Sequence, residues 1–228
     1  MALRIIIGLV LTAAAATLAG RRMWWLYRLG RSGQPAPERI AAVRDHPAQD
    51  VGTQATEVIG QRKLLQWTVP GAAHALTFWG FIVLILTIIE AYGDLFSRTF
   101  AIPLIGHWAV IGFAEDLFAA GVLAGIVTFA VIRLRNDPKR EGRKSRFAGS
   151  HTGAAWLVLL GIFLVVATLL VYRGAQINTG VFPYAHGAFA SQIAGHWLAP
   201  LGVAANKAIE TVGILAQIAV ILAFGVFV

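Results

Sequence analysis

The sequence predicts an all-α integral membrane protein, a helical bundle of five transmembrane helices with the N-terminus outside and the C-terminus in the cytoplasm. Of its 228 residues, 57% are hydrophobic and only 13% are charged, whereas about a quarter of the residues in a soluble domain are charged. Several apolar runs also approach or exceed the roughly 20 residues that cross a bilayer core. Because the polar residues are too few to cover a soluble surface, lipid must cover part of the chain.

The positions of the apolar runs predict the spans of a single membrane domain. In chain order they cover residues of about 3–19, 71–92, 108–134, 153–172 and 209–228. The first run could also be a cleaved signal peptide. However, only Arg4 precedes it, while a dense basic and aromatic cluster follows it. That asymmetry favours an uncleaved helix.

The connectors between the spans differ in charge, and this difference predicts the orientation. The connectors after the first and third spans are basic, through Arg21, Arg22 and Arg28 and through residues 133–146, whereas the connectors after the second and fourth spans have few cations, with Arg173 the only strong cation of 173–206. Lysine and arginine usually hold connectors in the cytoplasm. The cytoplasmic connector 30–69 is predicted to end in an interfacial helix over 53–67, before Pro70.

Charge and residue types exclude several classes of function. The net charge of +8 is concentrated in short stretches between apolar segments, which argues against a nucleic-acid partner and for contact with membrane lipid. The chain contains no cysteine, so it has no thiolates to hold zinc or an iron–sulfur cluster of its own. A transporter is disfavoured because the sequence has no inverted halves with paired broken helices.

Ionisable residues inside the spans are candidate functional residues, because lipid makes them costly. Glu115 and Asp116 are adjacent in the third span, so their side chains point about 100° apart on a helix. Each either pairs with an arginine or histidine, or belongs to a proton or quinone site. Glu90, near the outer end of the second span, can instead reach the interface. Three histidines fall in the outer connectors and are expected to be solvated: His107, His186 and His196.

Two further histidines are candidate ligands of a haem iron. His74 lies near the cytoplasmic end of the second span among small residues, which let a helix or a flat macrocycle approach closely. His151 lies at the cytoplasmic start of the fourth span, so both imidazoles belong to the same leaflet. Neutral imidazole is a good haem ligand, and helical bundles hold cofactors between facing helices. Alternatively, each histidine hydrogen-bonds a headgroup or a neighbouring carbonyl.

Two longer stretches carry a resemblance to a known family. The first is EVIGQRKLLQWTVPGAAH at residues 57–74, continuing to Phe81; the second is RFAGSHTGAAW at 146–156, followed by YRGAQINTG at 172–180. Together they resemble the N-terminal membrane portion of actinobacterial iron–sulfur-binding reductases related to heterodisulfide reductase, over nearly the whole chain. That portion is similar to the gamma subunit of respiratory nitrate reductase, a five-helix cytochrome b.

The resemblance implies a haem b held by His74 and His151. It implies electron exchange between a cytoplasmic iron–sulfur domain or flavoprotein partner and menaquinone or another quinone in the cell (plasma) membrane. The chain is then expected to be the N-terminal fragment of a longer protein, with the iron–sulfur cluster in a partner or in a following domain. Gln217 stands where related chains carry a histidine in the fifth span, so a second haem in the outer leaflet is not expected.

Two functions therefore remain open from the sequence. One is a membrane-embedded haem b electron-transfer domain of an iron–sulfur oxidoreductase. The other is a haem-free membrane anchor or scaffold for a soluble subunit.

Overall fold

The computed structural model describes residues 2–34, 45 and 47–227. That part of the chain is helical and contains no strand, which confirms the all-α prediction. A π-helical turn spans Ala55–Ile59, and 3-10 turns span Gly142–Lys144 and Ala199–Leu201. The α-helices are α1 (Ala2–Arg31), α2 (Pro47–Gln54), α3 (Arg62–Leu65), α4 (Thr68–Phe96), α5 (Ala109–Arg135), α6 (Pro138–Glu141), α7 (Thr152–Thr179), α8 (Phe189–Leu198) and α9 (Gly202–Phe227).

Five helices in the described ranges, α1, α4, α5, α7 and α9, are long and apolar enough to cross a membrane. The predicted multi-pass membrane bundle is thus confirmed, while its orientation stays a prediction. We call the end that contains residues 133–146 the basic end. The opposite end, which contains the connectors 97–108 and 180–201, is the far end. α4 and α7 each run from the basic end to the far end, and α5 runs from the far end back to the basic end.

The bundle is held by two extensive helix pairs, α7 with α9 and α4 with α5. In the second pair, small residues allow the backbones to approach closely. A Cβ atom on Gly80 would lie 2.3 Å from Val122 Cγ2, and one on Gly125 would lie 2.5 Å from Thr77 Oγ1. Such small-residue contacts are typical of membrane helices, which associate through close packing. The core residues are Leu84, Ala91, Leu95, Ala119, Val122, Ile126, Ile162, Val166, Leu169, Tyr172, Ile214 and Ile218.

The fourth and fifth helices differ from the predicted spans. Residues 173–206 were predicted to be one long connector, but α7 continues to Thr179, α8 forms within that range and α9 already begins at Gly202. A cation normally marks the interface, and Arg173 therefore predicts an end of the fourth span at this point. In the structure Arg173 is fully buried and ion-paired, so its charge does not end the helix.

The connector before α4 also differs from its prediction. A single interfacial helix was expected over 53–67, but α2 ends at Gln54 and is followed by the π turn and the short α3. Gln61 separates them with a positive φ of 51°, which interrupts the helical path. The rest of the predicted cytoplasmic connector includes residues 35–44 and 46, which lie outside the described residues.

Candidate functional site

His74 is held by a buried glutamine at the basic end. Its Nδ1 lies 3.1 Å from Gln61 Oε1. The Gln61 side chain also donates from Nε2 to the carbonyl oxygen of Val58 at 2.6 Å. Gln61 is only 4% exposed, although it belongs to an otherwise exposed connector. Gln61 also has a left-handed backbone, with a φ of 51°. Strained backbone conformations of this kind concentrate at functional sites.

His74, an exposed residue, lines a groove of about 450 Å³. One wall is α4, and the other walls come from α3, from α5 and from the residues after α6. The close approach of α3 depends on Gly71, because a Cβ atom there would lie 1.9 Å from the Leu64 carbonyl oxygen. The residues that line the groove are Lys63, Leu64, Trp67, Pro70, Gly71, His74, Phe129, Ile132, Arg146 and Phe147.

These residues fit a haem with one protein imidazole. The groove combines apolar and aromatic walls with one histidine and two cations, Lys63 and Arg146. Arg146 lies over the Trp67 ring, with its Cζ 5.9 Å from the ring centroid. Aromatic walls suit a macrocycle, and cations at the groove suit its carboxylate groups. His74 Nε2 has no hydrogen-bond partner among the described residues.

His151 and Gln217 are not among the residues that line this groove. His151 is the exposed N-cap residue of α7 and is not among the groove-lining residues. The shared ligation of one haem by both histidines therefore stays a prediction. Gln217 is fully buried in α9 and accepts a hydrogen bond from Thr168 of α7. It joins two helices where the resemblance would place a histidine.

A cluster of buried charges lies near the far end. Arg173 of α7 is fully buried, and its Nη2 donates to Glu115 Oε2 at 2.8 Å and to Glu90 Oε2. Its Nη1 lies 3.8 Å from Asp116 Oδ1. Three carboxyl groups from α4 and α5 thus surround one guanidinium from α7. We call Arg173, Glu90, Glu115, Asp116 and Tyr184 the charge cluster.

The connector after α7 closes this charge cluster. Tyr184, only 2% exposed, places its hydroxyl against Glu90 Oε1 and 3.0 Å from Glu115 Oε2. Arg173 Nη2 donates to the same hydroxyl at 3.2 Å. Asp116 turns toward α8 and accepts from the backbone nitrogen and hydroxyl of Ser191, at 2.7 and 2.9 Å. Five separate segments of the chain therefore meet at one polar site: α4, α5, α7, the connector after α7, and α8.

Further polar contacts continue from the charge cluster to the far end. Gln176 Nε2 donates to Asp94 Oδ2 at 2.8 Å, one helical turn beyond Glu90 on α4. Arg98, in the connector after α4, makes a two-point contact with Glu210 of α9, with both distances 2.7 Å. This hydrogen bonding to Glu210 raises the pKa of the Arg98 guanidinium above its ordinary value.

The structure thus divides the predicted site residues into two groups. Glu115 and Asp116 come together around an arginine, as one of the two sequence interpretations expected. Glu90 does not reach the interface, since it is 5% exposed and paired with Arg173. The sequence interpretation overlooked Arg173, Tyr184 and Gln61. Arg173 was the one strong cation in its predicted connector, and three unpaired acids within the spans were a signal that such a cation would be recruited.

The outer histidines carry no comparable contacts. All three are exposed, although one of them lies within α8 and not in a connector: His107, His186 and His196.

Comparison with known proteins adds no relative, since no family model, no curated protein and no solved structure matches the chain. The family resemblance of the two longer motifs therefore stays a prediction.

Proposed function

We propose that this chain is a membrane-embedded electron-transfer domain that holds one b-type haem at the basic end, with His74 as an axial ligand. It exchanges electrons between a cytoplasmic iron–sulfur domain or flavoprotein and menaquinone or another quinone of the cell membrane. The observation that supports this function is the histidine groove. There, buried Gln61 fixes the His74 imidazole among aromatic and cationic side chains.

Gln61 determines which nitrogen of His74 is available. Its Nε2 donates to Val58, so its Oε1 accepts from His74 and the imidazole carries its hydrogen on Nδ1. The lone pair of Nε2 is then available to a metal, and the hydrogen bond at Nδ1 raises the basicity of the ligand. A bound haem supplies reversible one-electron chemistry at its iron. The protein fixes the exposed His74 side chain beside the apolar side chains of the groove.

The basic end supplies the surface for a soluble redox partner. Residues 133–146 contain Arg133, Arg135, Lys139 and Arg140, followed by further cations up to Arg146. An acidic partner would be guided to this surface by its charge. The same cations also suit anionic lipid headgroups, which hold such segments at the membrane surface. An acidic partner bound to these cations would meet the bundle at the end where the histidine groove lies.

The visible absorption spectrum of the purified, dithionite-reduced protein tests this function. We expect the sharp α-band of a low-spin b haem, and we expect His74→Ala to abolish it because the axial ligand is lost. His196→Ala, which removes an exposed histidine at the far end, is the matched control and should keep the band. His151→Ala tests the second ligand: a change from low-spin to high-spin iron would identify His151 as that ligand.

A colourless protein that remains folded after expression with sufficient haem would contradict the proposal and favour a membrane anchor. If the α-band were still present in His74→Ala, the haem iron would have to be bound by residues other than His74.

A further inference from the structure

The charge balance of the charge cluster is incomplete when every acid is ionised. Glu90 and Glu115 both contact Arg173 Nη2, and Asp116 lies 3.8 Å from Nη1, so one positive charge faces three carboxyl groups. Asp116 has its own partners, because Ser191 lies in the first turn of α8 and donates twice to it. A buried carboxylate without a compensating cation is strongly disfavoured in a low-dielectric interior. One of the two glutamates is therefore expected to be a carboxylic acid.

The hydrogen atoms lead to the same conclusion independently. The Tyr184 hydroxyl has a single hydrogen, but its oxygen contacts both Glu90 Oε1 and Glu115 Oε2. Only one of these two contacts can use the tyrosine hydrogen. The other would place two oxygen lone pairs against each other unless the carboxyl group carries a hydrogen and donates it to Tyr184. The geometry of the three side chains thus requires one additional proton.

Unpaired polar atoms lie in the same region. The side chains of Arg173 and Glu115 are fully buried. Even so, three of their polar atoms have no hydrogen-bond partner: Arg173 Nε, Arg173 Nη1 and Glu115 Oε1. Gln176 Oε1, next to Asp94 toward the far end, is also buried and unpaired. Buried polar atoms are almost always satisfied by protein or by ordered water. The two Arg173 nitrogens are donors, and the Glu115 and Gln176 oxygens are acceptors. Internal water molecules could bond to all four atoms, because water both donates and accepts hydrogen bonds.

We propose that Glu90, Tyr184 and Glu115 together hold one exchangeable proton, and that internal water bound to Arg173 connects this proton to solvent at the far end past Asp94. On uptake, one carboxylate forms an O–H bond with a proton delivered by water, and on release that bond breaks and the proton returns to water. No electron is transferred. The site therefore has a proton-binding function that goes beyond the haem function and does not depend on it.

Other ionisable groups surround this site from each packed helix. Asp94 on α4 lies one turn nearer the far end, where Gln176 donates to it. On α9, Glu210 is paired with Arg98 and also accepts from Thr179 at 3.0 Å, so its charge is balanced. Tyr172 of α7 is fully buried beside Arg173, and its hydroxyl is unpaired. Of these groups, Asp94 is the one that extends the route from Glu90 toward solvent.

Infrared spectroscopy of the purified protein at neutral pH tests the proposal. We expect the carbonyl stretch of a protonated carboxylic acid in the wild-type protein, and we expect this band to shift in D₂O because the proton exchanges. Labelling the glutamates with ¹³C should shift the band, whereas labelling the aspartates should not. This measurement on the wild-type chain needs no variant to fold.

Variants then locate the proton. Glu90→Gln and Glu115→Gln should each remove the band, because the amide replaces the acid and Arg173 balances the remaining carboxylate. Glu210→Gln is the matched control, since Glu210 is as buried as Glu115 but is paired with Arg98, and it should keep the band.

In the wild-type protein, the absence of a carboxylic acid band, or a band that does not shift in D₂O, would overturn the proposal. So would a band that shifts with the aspartate label or disappears in Asp94→Asn. A band that persists in both Glu90→Gln and Glu115→Gln would also overturn it.

Discussion

Gln61 contributes to the histidine groove through one side chain with two hydrogen bonds. Its amide nitrogen is fixed by Val58, and its amide oxygen is therefore directed at His74. A ligand histidine that is fixed in this way loses little rotational freedom when a metal binds. The left-handed backbone of Gln61 costs free energy, and the contact with His74 offers a functional reason for that cost.

Gln61→Leu is expected to weaken haem binding without removing the ligand. The leucine cannot accept from Nδ1, so the imidazole loses its fixed tautomer and orientation, and haem affinity should fall roughly 10–100-fold. Titration of the haem-free protein with haem, followed by its absorption, measures this affinity. Gln66→Leu is the matched control, because Gln66 belongs to the same connector and is exposed. Equal affinities for the two variants would contradict the positioning role.

At the scale of elements, the far end is organised by the crossing of α7 and α8. Gly174 follows Arg173, and a Cβ atom there would lie 2.6 Å from the backbone nitrogen of Gly195 in α8. The same α8 carries Ser191, which binds Asp116. A single close crossing therefore positions both Arg173 itself and Ser191, the partner of Asp116. The backbone of α8 cannot move away without loosening the charge cluster.

Gly174→Ala is expected to destabilise the protein. The added methyl group meets backbone atoms that have no free rotation, and such overpacking costs about 1–3 kcal/mol. The midpoint of thermal unfolding in detergent should fall. Gly153→Ala tests the same substitution in the same helix at a position with no atom within 4 Å of the added Cβ. Because alanine favours the helix more than glycine does, this control should leave the midpoint unchanged or raise it.

If Gly174→Ala and Gly153→Ala had equal midpoints, the close crossing would not contribute to stability.

The sequence predicted the existence of the five helices because lipid imposes a simple rule on length and polarity. Their ends were harder to predict. Arg173 and Glu210 are charged residues that normally mark an interface, but each finds a partner from a segment distant in sequence. The hydropathy of a single segment does not show whether its charged residue will pair with a residue from another segment. The helices therefore extend beyond the boundaries that their charges indicate.

The candidate sites were predictable to different degrees. His74 was identified because a histidine among small residues in a span is unusual. Gln61 could not be identified, since nothing in the sequence distinguishes it from the other polar residues of its connector. Tyr184 was similarly hidden in a connector rich in glycine and aromatic residues. Both residues act through contacts that only the folded chain creates.

The whole molecule separates its two candidate sites along the bundle axis. His74 and Glu90 both belong to α4 and are 16 residues apart (90 − 74), which corresponds to roughly 24 Å along a helix. This separation is most of the bilayer core of about 30 Å. The histidine groove therefore lies near one membrane surface and the charge cluster near the other. A redox partner and an exchangeable proton would reach the protein from opposite sides.

The orientation decides which side each site faces, and the charges of the connectors predict it. The basic end carries the cations of residues 133–146, while the connector 180–201 at the far end contains no lysine or arginine. We therefore expect the basic end in the cytoplasm.

Because the chain has no cysteine, single cysteines introduced at the exposed positions Arg140 and His186 can report directly which side of the membrane each end faces. A membrane-impermeant maleimide applied to intact cells should label His186→Cys, and should label Arg140→Cys only after the membrane is opened. The opposite labelling pattern would place the histidine groove on the outer side. A cytoplasmic electron partner could then no longer reach it.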